Sequence, residues 1–98
     1  MTLTLNCGKF ESAIFRKVRE MGGIHYVFRF PNNYGASVVK FRGSYGYEQD
    51  LWELAVIYFD GDKYEPSYST PITRGVLGHL TDEDVVDALE KISQLKDA

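Results

Sequence analysis

The chain has one cysteine, three prolines, one tryptophan and two histidines in 98 residues. Cys7 alone forms no internal disulfide, and a single thiol fits a reducing cytosol. His25, His79 and Cys7 stand at no metal-ligand spacing, so a zinc site is not expected. Long apolar runs are also missing. The longest, Leu54 to Phe59, has six residues, against the roughly 20 a membrane helix needs. The opening stretch MTLTLNCGKF has neither a basic leader nor a long apolar segment, so no secretory signal is expected. There is no phosphate-binding loop, nucleophile elbow or paired-histidine motif. Asp60-Gly61-Asp62 starts like a calcium loop but lacks the spaced acids and the closing glutamate. These absences point to a protein without cofactor or metal that is not an enzyme.

Apolar residues make up 44% and charged residues 26%, which places the chain among ordinary globular domains. A single domain spanning residues 1–98 is expected. At this length roughly 60–70% of the unfolded surface becomes buried, enough for one core without staples. The net charge of −3 hides an asymmetry. Residues 1–47 hold seven Lys/Arg and two Asp/Glu, whereas residues 48–98 hold four and twelve. Such a split marks a basic face, an acidic face, or halves that interleave and cancel on folding.

Periodicity gives the elements. In KFESAIFRKVREMGG, Phe10, Ile14, Val18 and Met21 fall on one helical face and Gly22-Gly23 supplies a stop, so a helix is expected over 10–21. The rival is a strand from Phe15 to Met21. In GIHYVFRFP, Ile24, Tyr26, Phe28 and Phe30 alternate with His25, Val27 and Arg29, a strand. YGASVVKFRG is a second strand, with Val38, Lys40 and Arg42 on one face. LWELAVIYF is apolar on both faces and reads as central. Asp60-Gly61 signals a hairpin, and KYEPSYS a short edge strand, because Pro66 cannot donate to a ladder. ITRGVLGHL is expected to form a helical turn or two. TDEDVVDALEKISQL is the clearest helix, capped by Thr81, with Val85, Leu89, Ile92 and Leu95 as its buried stripe. The fold class is therefore α+β: a three- to four-stranded antiparallel β-meander flanked by an N-terminal helix and C-terminal helices.

Two surfaces are candidates for function. Arg42-Gly43-Ser44-Tyr45-Gly46-Tyr47 is similar to the RNA-recognition signature, but has one residue too many and lies between strands rather than within one. It reads instead as a loop presenting aromatic and arginine anchors, with Tyr34, Arg42, Tyr45 and Tyr47 as candidate protein contacts. Asp82, Glu83 and Asp84 offer an acidic second surface. The alternative is nucleic-acid binding by a basic sheet face of His25, Arg29, Lys40 and Arg42, rimmed by tyrosines.

A set of short pieces adds a resemblance. Tyr34-Gly35-Ala36-Ser37-Val38-Val39, Ser44-Tyr45-Gly46, Leu51-Trp52-Glu53-Leu54-Ala55-Val56, Thr70-Pro71-Ile72-Thr73 and Leu80-Thr81 together resemble a family of small uncharacterised proteins of tailed bacteriophages and prophages. The likeness covers roughly residues 22–95. Relatives often carry Tyr-Asp before the threonine and an acid after Thr-Pro-Ile-Thr, where this chain has Tyr68-Ser69 and Arg74. The resemblance brings no catalytic residues. It implies a bacterial host cytoplasm and an accessory protein that binds a host or phage protein, for instance as an inhibitor of a defence system such as CRISPR–Cas. A structural or self-associating phage component is the further alternative.

Overall fold

The computed structural model describes residues 2–73 and 75–96. A six-stranded antiparallel sheet carries one α-helix on one face. Strands β1 (Ile14–Glu20), β2 (Gly23–Arg29), β3 (Tyr34–Lys40), β4 (Trp52–Asp60) and β5 (Lys63–Pro66) follow one another as a meander. A sixth strand, β6 (Val76–Leu80), also pairs with β4. One edge of β4 is thus divided: β5 takes Ile57–Asp60 and β6 takes Trp52–Ala55. The α+β class, the central β4 and a hairpin after β4 agree with the sequence, although the two turn residues are Gly61-Asp62, one place later than expected, with Asp60 paired to Lys63. The strand count rises to six.

The expected N-terminal helix over 10–21 is not formed. A 3₁₀ helix spans Gly8–Ala13, and the chain then runs as β1, paired with β2 from Ile14↔Phe28 to Glu20↔Gly23. Two facts defeat the helical pattern. Met21 and Gly22 both have positive φ, 53° and 73°, which is the two-residue hairpin geometry that matches strand twist. Met21-Gly22 therefore turns a hairpin, with Gly23 already paired to Glu20, and the two glycines cap no helix. The apolar residues also do not share a face: Phe10 is buried while Met21 is 68% exposed. ITRGVLGHL likewise yields a strand, β6, because β4 would otherwise leave the ladder groups of Trp52–Ala55 unpaired. Arg74 lies outside the described residues.

The main core lies between the sheet and helix α1 (Asp82–Ser93). The sheet contributes Ile24, Tyr26, Phe28, Phe30, Ala36, Val38, Trp52, Leu54 and Val56; the helix contributes Val85, Ala88, Leu89 and Ile92. Leu95 packs against this core partly buried. Each fully buried large apolar side chain contributes about 1.5–3 kcal/mol, so this layer dominates stability. Leu5, Cys7 and Phe10 of the N-terminal segment close the side the helix leaves open. Burial, with Glu11 Oε2 3.4 Å from Sγ, pushes the Cys7 thiol up to about 11.

Both ends of α1 are tied down. Thr81 and Asp84 form a reciprocal capping box. Asp82 accepts from Trp52 Nε1 at 2.7 Å and from the Asn6 amide at 3.2 Å. At the other end, Asn32 of the β2–β3 turn donates to the carbonyls of Ile92 and Leu95. Ile92 is in the last turn, whose carbonyls lack an i+4 amide within the helix, and Leu95 lies just beyond it.

The opposite face carries a second, smaller cluster. Val27, Ile57 and Phe59 are buried there with Tyr64 beside them. Phe15 of β1 meets Phe59 of β4 edge-on at 5.2 Å, although β2 and β3 lie between. The sheet therefore curls towards this face. Gly35 of β3 lies beneath: a Cβ there would come within 1.9 Å of the Phe28 carbonyl and 2.9 Å of the Phe59 ring. The missing side chain is what lets Phe59 cross β3. Arg29 covers the cluster, 4.7 Å from the Phe59 ring and 5.7 Å from Phe15, with Asp62 at 3.4 Å.

Candidate functional site

Phe41 to Leu51 leaves β3 and returns to β4, and its shape follows from local hydrogen bonding. Ser44 Oγ accepts from the Phe41 amide and donates to the Phe41 carbonyl. Gly43 and Gly46 both take φ 97°, and a 3₁₀ turn over Tyr47–Gln49 leads to Asp50 at φ 61°. The Tyr45 amide donates to Glu53 Oε1 at 2.8 Å, and the His79 amide donates to the Tyr45 carbonyl. The loop lies directly on β6. A Cβ on Gly46 would come within 2.8 Å of His79 Cα, and one on Gly78 within 2.6 Å of Tyr45 Cβ. His79, expected near a helix end, instead occupies the irregular part of β6 with φ 57°.

The result is a fixed loop with an exposed tip. Tyr45 is 59% exposed, Arg42 is exposed and Tyr47 half-buried. They border a shallow depression of about 550 Å³ shared with Glu48, Gln49 and His79. Tyr34 does not belong to this surface. It opens β3 at the far end of the sheet and packs edge-on against Tyr58 at 5.4 Å. There it borders a second depression with Tyr68, which is 58% exposed. The acidic trio is largely committed within the fold, Asp82 to Trp52 and Asn6 and Asp84 to the capping box. Asp84 and Glu83 are both exposed, and Glu83 makes no side-chain hydrogen bond or ion pair among the described residues.

The basic quartet is dispersed. His25 and Arg29 lie on the curled face, and Arg29 is occupied by two rings and Asp62. Lys40 is in register with Ile24, on the core side. Its side chain is 2% exposed, donates to the Thr2 carbonyl and Asp50 Oδ1, and sits 4.2 Å from the Trp52 ring. Arg42 lies beyond the end of β3. The hydrogen bonds from Lys40 and from the Thr2 amide hold the Asp50 carboxyl below its ordinary range. Lys40 thus ties the N-terminal segment to the loop instead of facing solvent.

Sequence reasoning missed two features. Tyr68 gave no periodic signal. Nothing in the spacing of 20, 25 and 37 announced that Glu20, His25 and Ser37 join in one hydrogen-bonded line across three strands. Among the described residues, no group of three His, Cys, Asp or Glu is placed to hold a metal ion, and no helix is long and apolar enough to cross a membrane. No protein-family model, curated protein or solved structure matches the chain.

Proposed function

We propose that the protein works by binding another protein through the loop of Arg42, Tyr45 and Tyr47. The observation that carries this reading is Tyr45, largely exposed at the tip of a loop whose backbone is fixed on both sides. A rigid aromatic beside an arginine is the residue pair that contributes most at interfaces, because little side-chain freedom is lost on burial. The resemblance to phage and prophage proteins supports a bacterial host component as the partner, in the manner of an inhibitor of host defence. The buried Lys40 and the committed Arg29 remove two of the four basic residues on which the nucleic-acid reading rests.

Affinity capture from nuclease-treated bacterial lysate tests the proposal. A stoichiometric protein should be retained by the native chain and lost with Arg42→Ala/Tyr45→Ala. Retention that is indifferent to those substitutions, or that vanishes with nuclease, would sink it. With a purified partner, Tyr45→Ala should cost about 2 kcal/mol of binding.

A further inference from the structure

The curled face carries a row of polar side chains that the second cluster does not use. Glu20 closes β1, His25 lies in β2 and Ser37 in β3, as diagonal neighbours on one face. Ser37 Oγ lies 2.7 Å from His25 Nε2, and His25 Nδ1 lies 3.2 Å from Glu20 Oε1. An ionised carboxylate only accepts hydrogen bonds, so it keeps the imidazole proton on Nδ1. Nε2 is then left to accept the Ser37 hydroxyl proton. This is the arrangement in which a base, oriented by a third group, activates a hydroxyl nucleophile. Such a constellation is defined by geometry, and three adjacent antiparallel strands assemble it without any motif in the sequence.

The surroundings leave Ser37 partly exposed. Ser37 is half-buried, in one cross-strand row with Arg16, Val27 and Ala55. The charged groups on the same face around His25 are Glu20, in contact with it, Arg16 on β1, and Glu53 on β4 beyond Val39. Glu53 is engaged by the Tyr45 amide, and Arg16 makes no ion pair among the described residues.

We propose that Ser37 is a nucleophile activated by His25, with Glu20 as a positioning residue, and that this face reacts with small activated esters. Ser37 Oγ attacks the acyl carbon while its proton passes to His25 Nε2. The bond to the leaving alkoxide breaks, and the alkoxide takes that proton, leaving acyl-Ser37. Water attacks the acyl-serine, losing its proton to Nε2; the acid departs and Oγ recovers the proton. The amides of β3 are committed to the ladders on both sides, so no pair of backbone donors awaits the oxyanion. Arg16 is the cation of the Ser37 row, two strands away across Val27, and its long side chain is the one assigned to the oxyanion. The open face suits small substrates with good leaving groups. This chemistry is independent of the loop surface above.

The test uses the intact chain and a fluorophosphonate probe, in which Oγ displaces fluoride from phosphorus, followed by peptide mass spectrometry. One adduct on Ser37 is expected, absent in Ser37→Ala. His25→Gln should slow its formation on the order of a hundredfold. Glu20→Gln should slow it about tenfold or more, with Glu20→Asp intermediate. Glu20 is exposed, so its variants should melt like the native chain, and they decide the matter if His25→Gln fails to fold. No adduct on Ser37, or a rate unchanged by Glu20→Gln, would overturn the proposal.

Discussion

The two faces of the sheet are built from alternate residues of the same strands, yet they do different work. On the helix face, Trp52, Leu54, Val56, Phe28 and Tyr26 meet Val85, Leu89 and Ile92 in one continuous layer. On the curled face, three buried residues form a cluster beneath Arg29, and beyond it Glu20, His25, Ser37 and Glu53 stand among the smaller apolar Val18, Val39 and Ala55. A face that need not supply the bulk of the stability is free to carry a serine, a histidine and a glutamate in contact. The helix face tolerates polar groups only where each is tied down, as Lys40 is to Asp50 and Trp52 to Asp82.

The sharpest way to test this contrast is to cut one large side chain from each face. Trp52→Ala removes a fully buried ring from the helix face and leaves Asp82 without its indole donor. It should cost about 3–5 kcal/mol in urea denaturation, a large part of the 5–15 kcal/mol typical of a small domain. Phe59→Ala on the curled face should cost less, about 3 kcal/mol, the low end of the range for such a truncation. The reason is that Phe15, at 41% exposure, and Tyr64 border the gap and can settle into it. Equal losses would mean that the second cluster is as much a core as the first.

Asp50 gives a smaller, pH-dependent test. Its folded pKa is lowered by Lys40 and the Thr2 amide. The stability it contributes is therefore present above the ordinary carboxylate range and lost as pH falls through the lowered folded value. Asp50→Asn should lower the urea midpoint at pH 7 and shrink the gap between midpoints at pH 7 and pH 3. The smallest effect is expected at the loop tip. Tyr45→Ala should change stability by no more than about 0.5 kcal/mol, so that any loss of partner binding reports contact and not unfolding.

Parts of this architecture were legible in the sequence because local and global preferences agree there. The alternation of β2, the double-sided apolar pattern of β4, the glycine turn after β4 and the Thr81 cap each carry a signal within a few residues. The misreadings fell where a local pattern competed with pairing. Phe10, Ile14, Val18 and Met21 satisfy a helical period, but β2 pairs with β1 along its length. Lysine is almost never fully buried unless paired, which sets Lys40 among the solvent-facing cations in the sequence, and Asp50, its partner, lies across a loop. Tyr34 was grouped with Arg42 by nearness in sequence, and β3 carries the two to opposite ends of the sheet.

By itself the sequence determined the α+β class, the sheet's central hairpins and the helix that closes the chain, because hydrophobic period, turn chemistry and capping all act over short distances. Which side of the sheet the helix covers, which cations remain free, and the meeting of Glu20, His25 and Ser37 were decided only by tertiary structure. Each of these depends on strand register, and register is settled by packing between residues far apart in the chain.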